Sequence, residues 1–104
     1  MKITGIRIRI TSSYGTPMKA VATVTLDDVL VIHDVKVICT QDKEFVVMPS
    51  RKNADGTFRD VVHPITPEFR SELETEVFKA YREEIERIAS ELDTLKFDPN
   101  ENED

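Results

Sequence analysis

Arg51, Lys52 and Arg59 stand on either side of an Asp55-Gly56 step, and Phe58 adjoins the last of them. Guanidinium forks and an ammonium group suit phosphate oxygens, and an exposed phenyl ring can stack on an unpaired base. The stretch Met48-Pro49-Ser50-Arg51-Lys52-Asn53-Ala54-Asp55-Gly56-Thr57-Phe58-Arg59-Asp60 therefore reads as a cationic arm that turns back on itself at Asp55-Gly56. A plainer reading stays open: a solvated loop whose Arg51 and Arg59 pair with Asp55 and Asp60.

The other reactive residue types do not assemble. Ser50 lies in no strained nucleophile turn. His33 and Asp34 are neighbours on an expected strand, so their side chains should diverge instead of forming a dyad. His63 is far along the chain from them, and neither histidine has a third ligand at metal spacing. Glycines fall at positions 5, 15 and 56, too scattered for a phosphate loop. No catalysis, metal or cofactor is expected. Cys39, the one cysteine, cannot close an intramolecular disulfide and reads as a small buried strand residue.

Charge is unevenly spread. The net charge of −6 argues against a general polyanion binder. Residues 1–60, however, carry nine Lys/Arg against seven Asp/Glu, while residues 61–104 carry five against thirteen. The halves thus differ in sign, at +2 and −8, as expected where one face meets an anionic partner and another repels it. Lys2 to Ile10 alternates polar groups with isoleucine and does not form a signal-peptide core, and no apolar run approaches the ~20 residues of a membrane span. A cytoplasmic location follows as the expectation, with no membrane partner.

The elements that must position the arm can be read from periodicity. Ile6, Ile8 and Ile10 share one face of a first strand, with Arg7 and Arg9 on the other. A turn at Tyr14-Gly15-Thr16-Pro17 leads to a strand from Met18 to Leu26, whose Ala20 and Ala22 invite close packing by a later element. Asp27-Asp28 signals a hairpin into a strand from Val29 to Ile38 that is apolar on both faces and so expected to be central. Phe45 to Met48 is a short strand stopped by Pro49, and Val61-Val62 could return briefly to the sheet. Thr66 and Pro67 open one long helix with Phe69, Leu73, Val77, Tyr81, Ile85, Ala89 and Leu92 recurring along one side. That helix is long for so small a sheet, and its last turns are expected to pack on a second subunit. The expected fold is α+β: an antiparallel sheet of four to six strands covered by one C-terminal helix, with residues 1–96 as a single domain and 97–104 as an acidic, disordered tail.

The same arm carries a family resemblance. Met48-Pro49-Ser50-Arg51-Lys52, Asp55-Gly56, Phe58-Arg59-Asp60 and His63-Pro64-Ile65 resemble the signature of the SpoVG family, the stage V sporulation protein G. Lys2-Ile3-Thr4, Asp27-Asp28, Val31-Ile32-His33-Asp34 and Lys36-Val37-Ile38 fit its pattern too, so the resemblance runs from Met1 to about Glu84. It implies a bacterial cytoplasmic regulator associated with sporulation and septation, a small α+β homodimer that binds DNA and, in some members, RNA. Carried over, the implied contacts are Arg51, Lys52 and Arg59, with Arg70 as a weaker addition. The helix that the family is thought to use for site choice is here acidic, with Glu72, Glu74, Glu76, Glu83, Glu84 and Glu86. An alternative therefore stands beside nucleic-acid binding: a protein-interaction module in septation or transcription control, docking a protein partner through the acidic helix.

Overall fold

The computed structural model describes residues 1–11 and 16–96, with side chains as far as residue 92. The acidic tail, and part of the turn expected at Tyr14–Pro17, lie outside them. Four strands, β1 (Ile3–Ile10), β2 (Met18–Leu26), β3 (Leu30–Cys39) and β4 (Glu44–Val47), form an antiparallel meander in chain order. A separate two-stranded ribbon, β5 (Ser50–Lys52) and β6 (Phe58–Asp60), precedes one helix, α1 (Pro67–Lys96). The fold is α+β, as the periodicities predict.

Alternation decides which side of the sheet is covered. Ile6, Ile8 and Ile10 pair with Val24, Ala22 and Ala20, which are fully buried. Val35, Val37 and Val46 continue that face across β3 and β4. The helix closes it with Leu73, Val77 and Phe78, flanked by Phe69 and Tyr81. Burying each such aliphatic side chain contributes roughly 1.5–3 kcal/mol, so this single layer of contacts holds the sheet and helix together.

Local chemistry sets the element ends. At the start of α1 the Thr66 hydroxyl accepts the Phe69 amide at 3.2 Å, satisfying one of the helix's orphan donors, and Pro67 fills the first helical position. Between β2 and β3, Asp27 (φ 50°) and Asp28 (φ 56°) both sit in the left-handed region, and the Val29 amide reaches the Leu26 carbonyl at 2.9 Å. That is the mirror-image two-residue turn that suits strand twist. Its strain is offset from β1: Asp27 exchanges bonds with the Lys2 backbone at 2.8 Å each, and the Thr4 hydroxyl accepts the Asp28 amide at 2.9 Å.

β3 is internal to the sheet, between β2 and β4, as expected, but its first half, the His33-Asp34 step and Val61-Val62 differ from expectation. β3 is flanked on both edges only over Lys36–Cys39, because β4 is four residues long. Its first half therefore has one open edge, and Val29, Leu30 and Val31 are 84%, 50% and 45% exposed. Strand alternation also fails at His33-Asp34: both oppose Thr23, a bulge at which Asp34 takes φ 64°. Val61 and Val62 form no strand; Val61 only extends the β5–β6 ribbon by donating its amide to the Pro49 carbonyl at 2.8 Å.

Candidate nucleic-acid interface

The arm is a hairpin built by its own turn. The Asn53 amide bonds the Thr57 carbonyl at 2.7 Å, and Gly56, at φ 93°, sends its amide to the Asn53 carbonyl at 3.0 Å. An L side chain is strained at that φ, which explains the glycine. Asp55 completes the turn by accepting the Thr57 hydroxyl at 2.7 Å and its amide at 3.1 Å. These bonds, the Thr57 hydroxyl first, hold the Asp55 carboxyl below its ordinary range. Asp55 is thus spent on the loop and leaves the arginines alone.

Register then sorts the candidate contacts. Arg51 lies directly across from Arg59, and Lys52 directly across from Phe58. Cross-strand partners share a face, so the two arginines occupy one side of the ribbon and the lysine and phenyl ring the other. Phe58 is 69% exposed, and every residue of β5 and β6 is exposed. Ser50 faces Asp60 on the Lys52 side, away from the arginines. Among the described residues no ion pair engages Arg51, Lys52 or Arg59. Two like charges facing each other across a two-stranded ribbon destabilise it by some tenths of a kcal/mol to about 1 kcal/mol. An anion between them reverses the sign of that contribution.

Arg70 is employed differently. Its guanidinium donates to the Val46 carbonyl at 3.0 Å and lies 3.6 Å from Glu74, whose carboxylate accepts the Val46 amide at 3.3 Å. One turn of α1 thereby caps both polar groups of a residue on the outer edge of β4, which would otherwise be an open sheet edge. The structure does not bring Arg70 into the arm's cluster. Sequence shows Arg70 and Glu74 as an ordinary i,i+4 pair and gives no sign of the strand between them.

The remaining helix arginines are also bound. Arg82 meets Glu44 at 2.6 Å with its guanidinium over the Phe78 ring, and Arg87 bridges Glu84 and Glu91 at 2.7 Å each. Hydrogen bonding from Arg87 lowers the Glu84 pKa and raises that of Arg87. Burial pushes the Cys39 thiol and the Tyr81 phenol upward, which suits packed strand and helix residues rather than reactive ones. Among the described residues no group of three His, Cys, Asp or Glu side chains gathers to hold a metal, and no helix is long and apolar enough to cross a membrane.

An apolar groove of about 320 Å³ opens beside the bare half of β3, lined by Leu26, Leu30, Ile32, Met48, Ile65 and Phe69 among others. Ile65 at its rim is 87% exposed.

The family model for SpoVG matches residues 1–83, which takes in all six strands, the arm and the first half of α1. The chain belongs to the SpoVG family. Relatives printed as "Putative septation protein SpoVG" agree with it closely. The protein from Acetivibrio thermocellus is 51% identical over 81 residues, covering 78% of this chain and 85% of its own. That from Acholeplasma laidlawii is 42% identical over 90 residues, covering 86% and 95%. That from Agathobacter rectalis is 44% identical over 88 residues, covering 85% and 100%. The SpoVG match ends within α1, so the acidic distal turns of this helix lie beyond it.

Proposed function

We propose that this SpoVG-family chain acts by binding nucleic acid, DNA first and RNA second, as a homodimeric regulator in septation or sporulation. The observation that carries the reading is the pairing of Arg51 with Arg59 across an exposed ribbon, beside Lys52 and Phe58, with no carboxylate among the described residues in an ion pair with any of them. Such a ribbon adds no core to the fold; what it offers is cationic forks and an aromatic ring to a phosphate backbone and its bases. The relatives' printed names supply the septation context.

A homodimer is supported by the open edge of β3. Leu30 to Asp34 present unpaired ladder positions next to the apolar groove, and a second copy paired there would cover Val29, Leu30 and Ile65. Two arms would then supply about six phosphate contacts, enough to make affinity fall roughly a thousandfold between 50 and 200 mM salt. A protein-docking reading retains one specific support: Ile85 and Leu92, 41% and 54% exposed, form an apolar line among the helix glutamates.

The test is anisotropy of labelled duplex DNA with the intact chain and with Arg51→Ala/Lys52→Ala/Arg59→Ala. Loss of at least a hundredfold in affinity, with an unchanged circular dichroism melt, is expected. Full affinity in the triple variant would refute the arm as the contact. Binding that ignores the arm but fails when Glu83 and Glu86 become lysine would move the function to the helix.

A further inference from the structure

The helix covers one face of the four-stranded sheet; the other face lies open and is cationic. Register brings its residues together from separate strands. Arg9 pairs with Val21, Val21 with Lys36 and Lys36 with Val47, so one row crosses all four strands with a cation on either side of a valine. Arg7 lies two residues along β1 and pairs with Thr23. Phe45 shares the Val47 face of β4, paired with Ile38, and the Lys43 ammonium sits 5.7 Å from its ring centre. Arg7 and Arg9 are about 7 Å apart along β1, and Arg9 and Lys36 nearly 10 Å apart across two strand spacings of about 4.8 Å.

The acids to weigh at this face are Asp34, Glu83 and Glu84. Asp34 stands at the bulge opposite Thr23. Glu83 and Glu84 share a shallow surface hollow with Arg7 where β1 borders α1, and Glu84 is already held by Arg87. Among the described residues no ion pair engages Arg7, Arg9 or Lys36, whereas the helix residues Arg70, Arg82 and Arg87 are each paired with a glutamate. A chain with six net negative charges has carboxylates to spare, yet among the described residues none forms an ion pair with these three cations.

We infer that the open sheet face is a second nucleic-acid surface, separate from the arm, and that it takes a single strand laid across the strands. Among the described residues this face is built of strands alone and offers no helix to a duplex groove. A single strand can instead rest its phosphates on Arg7, Arg9 and Lys36 and stack a base on Phe45, with Thr23 and Thr25 offering hydroxyls. The inference deepens the nucleic-acid reading above and rests on it only for the general class of ligand.

The experiment compares the intact chain, Arg7→Gln/Arg9→Gln/Lys36→Gln and the arm triple variant against a labelled oligo-dT 20-mer and a duplex of equal length. Circular dichroism confirms folding, and size-exclusion with light scattering reads oligomeric state. Expected is a loss of at least tenfold for the single strand in the sheet variant, with duplex affinity within about twofold of the intact chain. Three contacts at about 0.7 each should also flatten its log–log salt slope by about 2. Phe45→Ala should weaken the single strand roughly tenfold on its own, the scale of one lost stack. Unchanged single-strand binding in the sheet variant overturns the inference, as does an intact chain that binds no single strand at 50 mM salt. A sheet variant that falls apart into monomers also overturns it, by making this face an interface between copies. Duplex binding lost in the arm variant but kept in the sheet variant leaves the arm assignment standing whichever way the single strand behaves.

Discussion

Two of the hairpins, β2–β3 and the β5–β6 arm, differ in nearly every respect. The β2–β3 hairpin has long strands, contributes Val24, Leu26, Val35 and Val37 to the core, and turns through two aspartates in left-handed conformation tied to β1. The β5–β6 arm has three-residue strands, buries nothing, and is closed by bonds within its own loop. An isolated two-stranded hairpin is marginal in water, so the arm persists on its turn and its tether at Pro49 and Val61. The first hairpin is explained by what it packs; the second is explained by the charges it displays.

Mutation can break this contrast. Val24→Ala, in a fully buried position of the first hairpin, should cost about 2 kcal/mol in a urea melt through lost burial and a residual cavity. A loss under 0.5 kcal/mol would mean the core does not run where β2 places it. Next in size, Asp27→Ala removes the carboxylate that accepts the Lys2 amide and leaves an alanine at φ 50°; about 1–2 kcal/mol should be lost. If the melt is unmoved, that turn is no more tied down than the arm. The smallest effect is local to the arm. The Asp55 carboxyl is held below its ordinary pKa of 3.8, so its contribution is complete above that value and disappears as pH falls through the lower, folded one. Amide exchange at Thr57 should therefore lose protection in that acid window before the sheet amides do, and simultaneous loss would show one cooperative unit.

Much of this architecture is legible from residue order, and for local reasons. Thr66-Pro67 sets the helix start, alternating isoleucines set the buried face of β1, and Asp27-Asp28 and Asp55-Gly56 set two reversals, each by chemistry confined to a few neighbours. The misread parts depend on partners distant in sequence. Val29 to Val31 read as central because they are apolar, but their exposure follows from β4 being too short to reach them. The anchoring of Arg70 on β4 has no sign in the sequence because its acceptor, the Val46 carbonyl, is twenty-four residues away. The row Arg9–Val21–Lys36 has no signature along the chain, since it exists only once two strand registers are fixed.

The covering helix and the open sheet face also make the molecule an electric dipole. Glutamates 72, 83 and 86 stand exposed on α1, while Arg7 and Arg9 stand exposed on the far side of the sheet. A polyanion repels the net charge of such a body but exerts a torque on it, turning the sheet side forward before any contact forms. Orientation during approach, more than final affinity, is what this division of charge controls, and it weakens once salt brings the screening length to about 8 Å, below the thickness of the sheet and helix layers.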